Sequence, residues 1–124
     1  MSDTPGHGQP VPIDRSALAE ISDGDQAVER RMLTVFRQAN DADAAALKEA
    51  LGQQDIAAVT RASHRIKGAS MMVGATSLAV ICARIEQAGR AGDWGASAAE
   101  RSALYGELDR VNAYLDTLRI TQSP

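Results

Sequence analysis

The sequence predicts an all-α protein, an antiparallel up-and-down four-helix bundle with a short extra helix at its N-terminal end. Two observations of composition and one of pattern predict it. Aromatic residues are only 3% of the 124-residue chain, so alanine and leucine, not the β-branched and aromatic side chains that suit sheets, supply its apolar surface. Hydrophobic residues reach 44% and charged residues 23%, a balance that suits amphipathic helices. Apolar positions recur at steps of three and four along four long stretches joined by short connections. Short connections make successive helices antiparallel neighbours, and a chain of this length forms one domain with its own core.

Each element follows in order. Residues 1–12, "MSDTPGHGQPVP", hold three of the four prolines and read as a flexible lead-in or linker remnant in which His7 is inert. The bundle domain spans 13–120, and 121–124 is a polar tail. Ile13 to Ile21 is a short helix with Leu18 and Ile21 three apart; "SDGD" closes it and offers Asp25 as an N-cap for the next. From Gln26 to about Leu51, positions Val28, Met32, Val35, Phe36, Ala39, Ala42, Ala46, Leu47 and Ala50 mark one face of a long amphipathic helix. "GQQD" interrupts it. Asp55 then caps a helix whose seam is Ile56, Val59, Ser63, Ile66, Ser70 and Val73, and Gly74 ends it in a left-handed turn. A third long helix starts near Thr76 with Leu78, Ile81, Cys82, Ile85 and Ala88 inward, and "GRAGD" breaks it. Asp93 caps the last helix, where Trp94, Ser97, Arg101, Leu104, Leu108, Val111, Leu115 and Leu118 keep the three-four spacing without a break.

Charge and cysteine usage exclude several function classes. The 13 basic residues are spread among 16 acidic ones for a net charge of −3, which provides no field for nucleic acid. The single cysteine, Cys82, sits between Ile81 and Ile85 and reads as a small core residue in a reducing compartment. No apolar run approaches the roughly 20 residues of a membrane span, and the N-terminus lacks a hydrophobic signal core. The expectation is a cytoplasmic, monomeric domain that makes no membrane contact of its own.

The stretch "SHRIKGASMMVGA", residues 63–75, carries the chemistry. At about 100° per residue, His64 points roughly 130° away from the mean direction of its helix's seam, and so outward. Gly68 lies about 40° from His64 and Lys67 about 60° on the other side, with Thr60 and Met71 one and two turns away and Arg61 and Arg65 flanking. A helical histidine alone is ordinarily a surface or satisfied core residue. Gly68 changes the weighing. Glycine in a helix interior is roughly 1 kcal/mol less favourable than alanine, in a chain that uses alanine freely. One turn from an exposed imidazole, it removes a side chain that would obstruct a large partner.

The chemistry that fits is phosphoryl transfer through the imidazole. A neutral ring nitrogen is a nucleophile at near-neutral pH without a further base. It needs a cation near the moving phosphoryl charge, which Lys67 can supply, and a group that holds the other ring nitrogen. Glu86 is the candidate for that hold, because it lies about as far past the Gly74 turn as His64 lies before it. A solvated glutamate is the alternative.

"HRIKGAS", then "VGA", then "LAVICARIE" resembles the histidine-containing phosphotransfer (HPt) domain family over about residues 24 to 118. The family pattern is a histidine, a lysine three on, a glycine four on, small residues, and a second glycine near the helix end. The resemblance implies that His64 is phosphorylated, Lys67 stabilises the phosphoryl group, Gly68 admits the partner, and Glu86 orients the ring. It implies a phosphocarrier without kinase machinery, passing phosphoryl groups between the aspartate of a hybrid sensor kinase receiver and that of a response regulator. The magnesium ion then belongs to the receiver, and this chain holds no metal or cofactor. Arg61, Arg65 and Lys67 would face the acidic receiver pocket, with Thr60 and Met71 in the docking surface. The proline-rich start suits the C-terminal domain of a membrane-bound sensor kinase, and equally a freestanding carrier. Met71 and Met72 depart from the small or polar residues common in the family. Exposed, they add an apolar docking surface; Met72 is equally suited to packing against a neighbouring helix.

Three rival readings fit these residues less well. A histidine-kinase dimerisation domain has an acidic residue beside its histidine and a proline soon after, whereas here Arg65 follows His64 and no proline falls between Pro12 and Pro124. A carboxylate-bridged metal bundle needs Glu-x-x-His pairs on two helices, and neither histidine belongs to one. A non-catalytic helical adaptor explains the bundle but leaves Gly68 without a purpose.

Overall fold

The computed structural model describes residues 11–120, and over them the chain is six helices with no strand. Most of the predicted lead-in, His7 and the tail at 121–124 lie outside the described residues. The helices are α1 (Arg15–Ser22), α2 (Gln26–Gln53), α3 (Ile56–Val73), α4 (Thr76–Arg90), α5 (Trp94–Ala99) and α6 (Arg101–Thr117). None of them is long and apolar enough to cross a membrane.

Four of the six helices start on an aspartate that accepts from backbone amides of the first turn. Asp14 takes the amide of Ser16 (3.0 Å), Asp25 that of Ala27 (2.9 Å), Asp55 that of Ala58 (3.1 Å) and Asp93 that of Ala96 (3.0 Å). Each satisfies donors that helix geometry leaves without partners. Gly74 ends α3 at φ 79°, and the amide of Ala75 closes back on the carbonyl of Ser70 at 2.8 Å. Glycine is needed there twice over, since a Cβ would also meet the carbonyl of Asp14, whose own amide donates to Gly74 at 2.8 Å.

The long helices pack in a ring, α2 on α3, α3 on α4, α4 on α6 and α6 back on α2, while α1 covers one end against α2 and α3. Cross-helix partners run in opposite chain directions: Asp43 pairs with Arg65, Arg37 with Asp116, and Lys48 lies over the ring of Tyr105. This is the predicted antiparallel bundle. Leu18, Leu33, Leu47, Val59, Ile66, Leu78, Ile85, Leu104, Val111 and Leu115 fill its core and are almost wholly buried. Each such side chain contributes roughly 1.5–3 kcal/mol of burial free energy.

Three expectations change. The last helix is interrupted: at Glu100 the amide bonds to the carbonyl of Ser97, three residues back, and α6 restarts at Arg101. Tertiary contacts account for the break, because the Ser97 hydroxyl reaches the carbonyl of Ile85 and Arg84 reaches Glu100, tying α5 to α4 before the chain turns to run along α2. The inner face of α2 is also rotated from the one the apolar spacing marked. Val28, Val35, Ala39, Ala42 and Ala46 are exposed, whereas Glu29, Arg37 and Asn40 are buried beside Leu33, Phe36, Leu47 and Leu51. Two of those polar side chains join α2 to its neighbours: Glu29 accepts from Arg15 (3.1 Å), and Arg37 donates to Asp116 (2.7 Å) and to the carbonyl of Ile120 (2.8 Å). Ile21, paired with Leu18 in the sequence reading, is exposed, and Ile13, just before the cap, enters the core instead.

Candidate functional site

The site is built on the facing surfaces of α3 and α4. Val59, Ala62, Ser63, Ile66, Ser70 and Val73 of α3 are buried, so His64 is turned out, its side chain 59% exposed. On α4, Ile85 and Glu86 both face inward, and Glu86 is 4% exposed. The tight Gly74–Ala75 turn sets the register between the two helices. Thr60 then packs where Gly89 has no side chain, and a Cβ on Gly89 would run into the Thr60 side chain. One turn further along, His64 faces Glu86.

Glu86 is the centre of the cluster. Its Oε2 lies 2.9 Å from Nδ1 of His64 and accepts from Nε of Arg90 at 3.0 Å and Nη2 at 2.5 Å. Its Oε1 forms an ion pair with Nζ of Lys67 at 2.6 Å. These partners, Lys67 above all and then Arg90 and His64, overcome the opposing effect of burial and hold the carboxyl at about 2, below its ordinary 4.5. An ionised carboxylate only accepts hydrogen bonds, so Nδ1 of His64 is the donor and carries the ring proton. In the neutral ring Nε2 is then the nitrogen with the lone pair. His64 lines a shallow open cleft of about 370 Å³ together with Lys67, Ala83, Glu86, Gln87 and Arg90.

The solvated-glutamate alternative for Glu86 therefore gives way to a buried carboxylate paired with His64, Lys67 and Arg90. Gly68 is exposed, and a Cβ on it would meet nothing within 4 Å. Unlike Gly74 and Gly89, it answers no need inside the molecule. Met71 and Met72 are 65% and 62% exposed and lie on opposite flanks of α3. Met71 joins Lys67, Ala79 and Val80 in the α3–α4 groove; Met72 joins Met32, Val35 and Phe36 between α2 and α3, so it does not pack away.

The basic patch differs from the one the sequence suggested. Arg61 and Arg65 line the α2 side of α3, and Arg65 is paired with Asp43 at 3.0 Å. Lys67 faces α4 and is held by Glu86, so the three cations do not form one continuous surface. Thr60 is half-buried, its hydroxyl donating to the carbonyl of Ile56 at 2.8 Å. Sequence reasoning missed Arg90. The available signal was its position four residues after Glu86, the spacing at which opposite charges meet on one helix face.

Comparison with family models gives a match to the Hpt domain over residues 31–119. Searches of curated proteins and of solved structures return no significant match. The matched segment covers well over half the chain, from the second turn of α2 to the end of α6, and encloses the whole His64–Glu86 cluster. The chain belongs to the Hpt domain family, the phosphocarrier modules of histidine phosphotransfer in two-component signalling, which work with receiver domains and are not kinases.

Proposed function

We propose that this domain is a phosphorelay intermediate in which Nε2 of His64 takes a phosphoryl group from the aspartyl phosphate of one receiver and hands it to the aspartate of another. The lone pair on Nε2 attacks phosphorus, the bond from phosphorus to the aspartyl oxygen breaks, and the aspartate leaves as a carboxylate. The proton on Nδ1 stays with the ring throughout, and the return step is the same displacement in reverse. The observation that carries this reading is the 2.9 Å contact between Nδ1 and the buried carboxylate of Glu86, which assigns the proton to the inner nitrogen.

Other groups have supporting parts. Lys67, three residues on, stabilises charge on the phosphoryl oxygens. Gly68 leaves open the space through which the receiver's rim approaches, and Met71 with Val80 gives an apolar footing next to the cleft. Arg61 and Arg65 serve encounter with an acidic surface on the other flank. The magnesium ion and its acidic ligands come with the receiver, as the family resemblance implies. One receiver belongs to a hybrid sensor kinase and the other to a response regulator, met in the cytoplasm by a monomeric domain.

The test is phosphotransfer from a phosphorylated receiver. The chain should acquire an acid-labile, base-stable phosphate, and His64→Gln should not. A label that persists in His64→Gln, or a wild-type chain that no receiver in its genome can label, would leave the helical adaptor as the better reading.

A further inference from the structure

Building on the phosphotransfer reading, we propose that Arg90 is a positioning residue: it holds the Glu86 carboxylate, and through it the His64 ring, when Lys67 leaves that carboxylate for the phosphoryl group. The donors around Glu86 divide between its two oxygens. Oε2 receives Nδ1 of His64 and two nitrogens of Arg90, whereas Oε1 has Nζ of Lys67. Departure of Lys67 therefore vacates one oxygen and leaves the other bound.

That departure is required by charge. A phosphoryl group brings about −1.5 to −2 charges to the ring, three residues from an ammonium on a flexible stem that is 29% exposed. The ammonium cannot stay centred on Glu86 and also serve the phosphoryl oxygens. A carboxylate 5% exposed that lost its last countercharge would have to move or take up a proton. Either outcome releases Nδ1, and with it the assignment of Nε2 as the unprotonated nitrogen.

Arg90 is placed to prevent this. It is on the same helix as Glu86, one turn on, so its hold does not depend on α3 or on what binds there. Its guanidinium is permanently charged and brings Nε and Nη2 to the same oxygen as a rigid fork. Its side chain is 65% exposed, and a pair of this kind four residues apart adds little to helix stability. A structural role alone would leave the state of the His64 ring unmoved.

Nitrogen NMR of the His64 ring in the full chain tests the hold, with Lys67→Ala imitating the departed ammonium before any phosphorylation. The protein protonated at Nδ1 should dominate in wild type, Lys67→Ala and Arg90→Gln. In the double variant Lys67→Ala/Arg90→Gln the ratio of Nδ1-protonated to Nε2-protonated ring should fall about tenfold, and Lys67→Ala/Arg90→Lys should recover most of it. An unchanged ratio in a folded double variant, or a full loss in Arg90→Gln alone, overturns the proposal. Transfer from a phosphorylated receiver gives a second reading: Arg90→Gln should slow it about tenfold and Arg90→Lys by no more than about twofold. Wild-type rates in Arg90→Gln overturn the proposal as well. A wild-type chain that accepts no phosphoryl group counts against the functional reading, while the ring measurement still decides whether Arg90 holds Glu86.

Discussion

Glu86 reaches the His64 ring from the bundle side, 2.9 Å from Nδ1. In the proposed transfer Gly68, exposed and with open space where a Cβ would stand, lets the partner approach. Because a Cβ at position 68 meets nothing in this chain, Gly68→Gln should stabilise the isolated domain by roughly 0.5–1 kcal/mol through helix propensity. The same variant should slow phosphotransfer from a receiver, read as initial rate against receiver concentration. Unchanged transfer would show that no partner surface passes over that position. Lys67→Ala should lower the unfolding temperature modestly, since Arg90 still pairs with the buried Glu86 carboxylate, and slow transfer by about tenfold or more; unfolding of the variant at room temperature would assign Lys67 to the fold instead. His64, Lys67, Gly68 and Glu86 were all legible in the sequence, since helical angle and distance from the Gly74 turn are local quantities. Arg90 was not singled out, because a pair four residues apart gains meaning only once Glu86 is known to face inward.

At the scale of the element, the α3–α4 hairpin sets the site's geometry, and two glycines set the hairpin. Gly74 supplies a left-handed residue where the Asp14 carbonyl also presses close, and Gly89 lets α4 approach α3 at Thr60. Gly74→Ala should therefore destabilise the domain by at least about 2 kcal/mol, seen as a lower urea midpoint with an unchanged slope. A variant as stable as wild type would mean that α1 and the turn can separate without penalty. Helix α2 shows the limit of reading elements singly. Its alanines and valines satisfy a three-four spacing on more than one face, and the buried face is the one that carries Glu29, Arg37 and Asn40 because α1, α3 and the end of α6 all meet there. The break at Glu100 is of the same kind, since an unbroken spacing gives no sign that α5 is tied to α4.

For the molecule as a whole, the ionised cluster makes stability depend on acid. Glu86 is held at about 2 against an ordinary 4.5, so the unfolded chain takes up this proton first as pH falls. Its contribution is full above about pH 4.5 and is lost progressively between there and about pH 2, on the order of 3 kcal/mol at most. Comparing unfolding at pH 7 and pH 3, the wild type should lose more stability than Glu86→Gln. Equal losses in the two proteins would mean that other carboxylates govern the acid response.

What the sequence by itself determined is local: four long helices, the aspartate caps at Asp25, Asp55 and Asp93, the left-handed stop at Gly74, and an outward histidine with a lysine and a bare glycine beside it. Dihedral preference, capping and a 3.6-residue period act within a few residues, so they are written in order along the chain. Only the tertiary structure decided the rotation of α2, the break before α6, the separation of Arg61 and Arg65 from Lys67, and the closing of Lys67 and Arg90 on Glu86. Each of these depends on the register of one helix against another. Burial and charge pairing across the bundle set that register, and no single helix contains it.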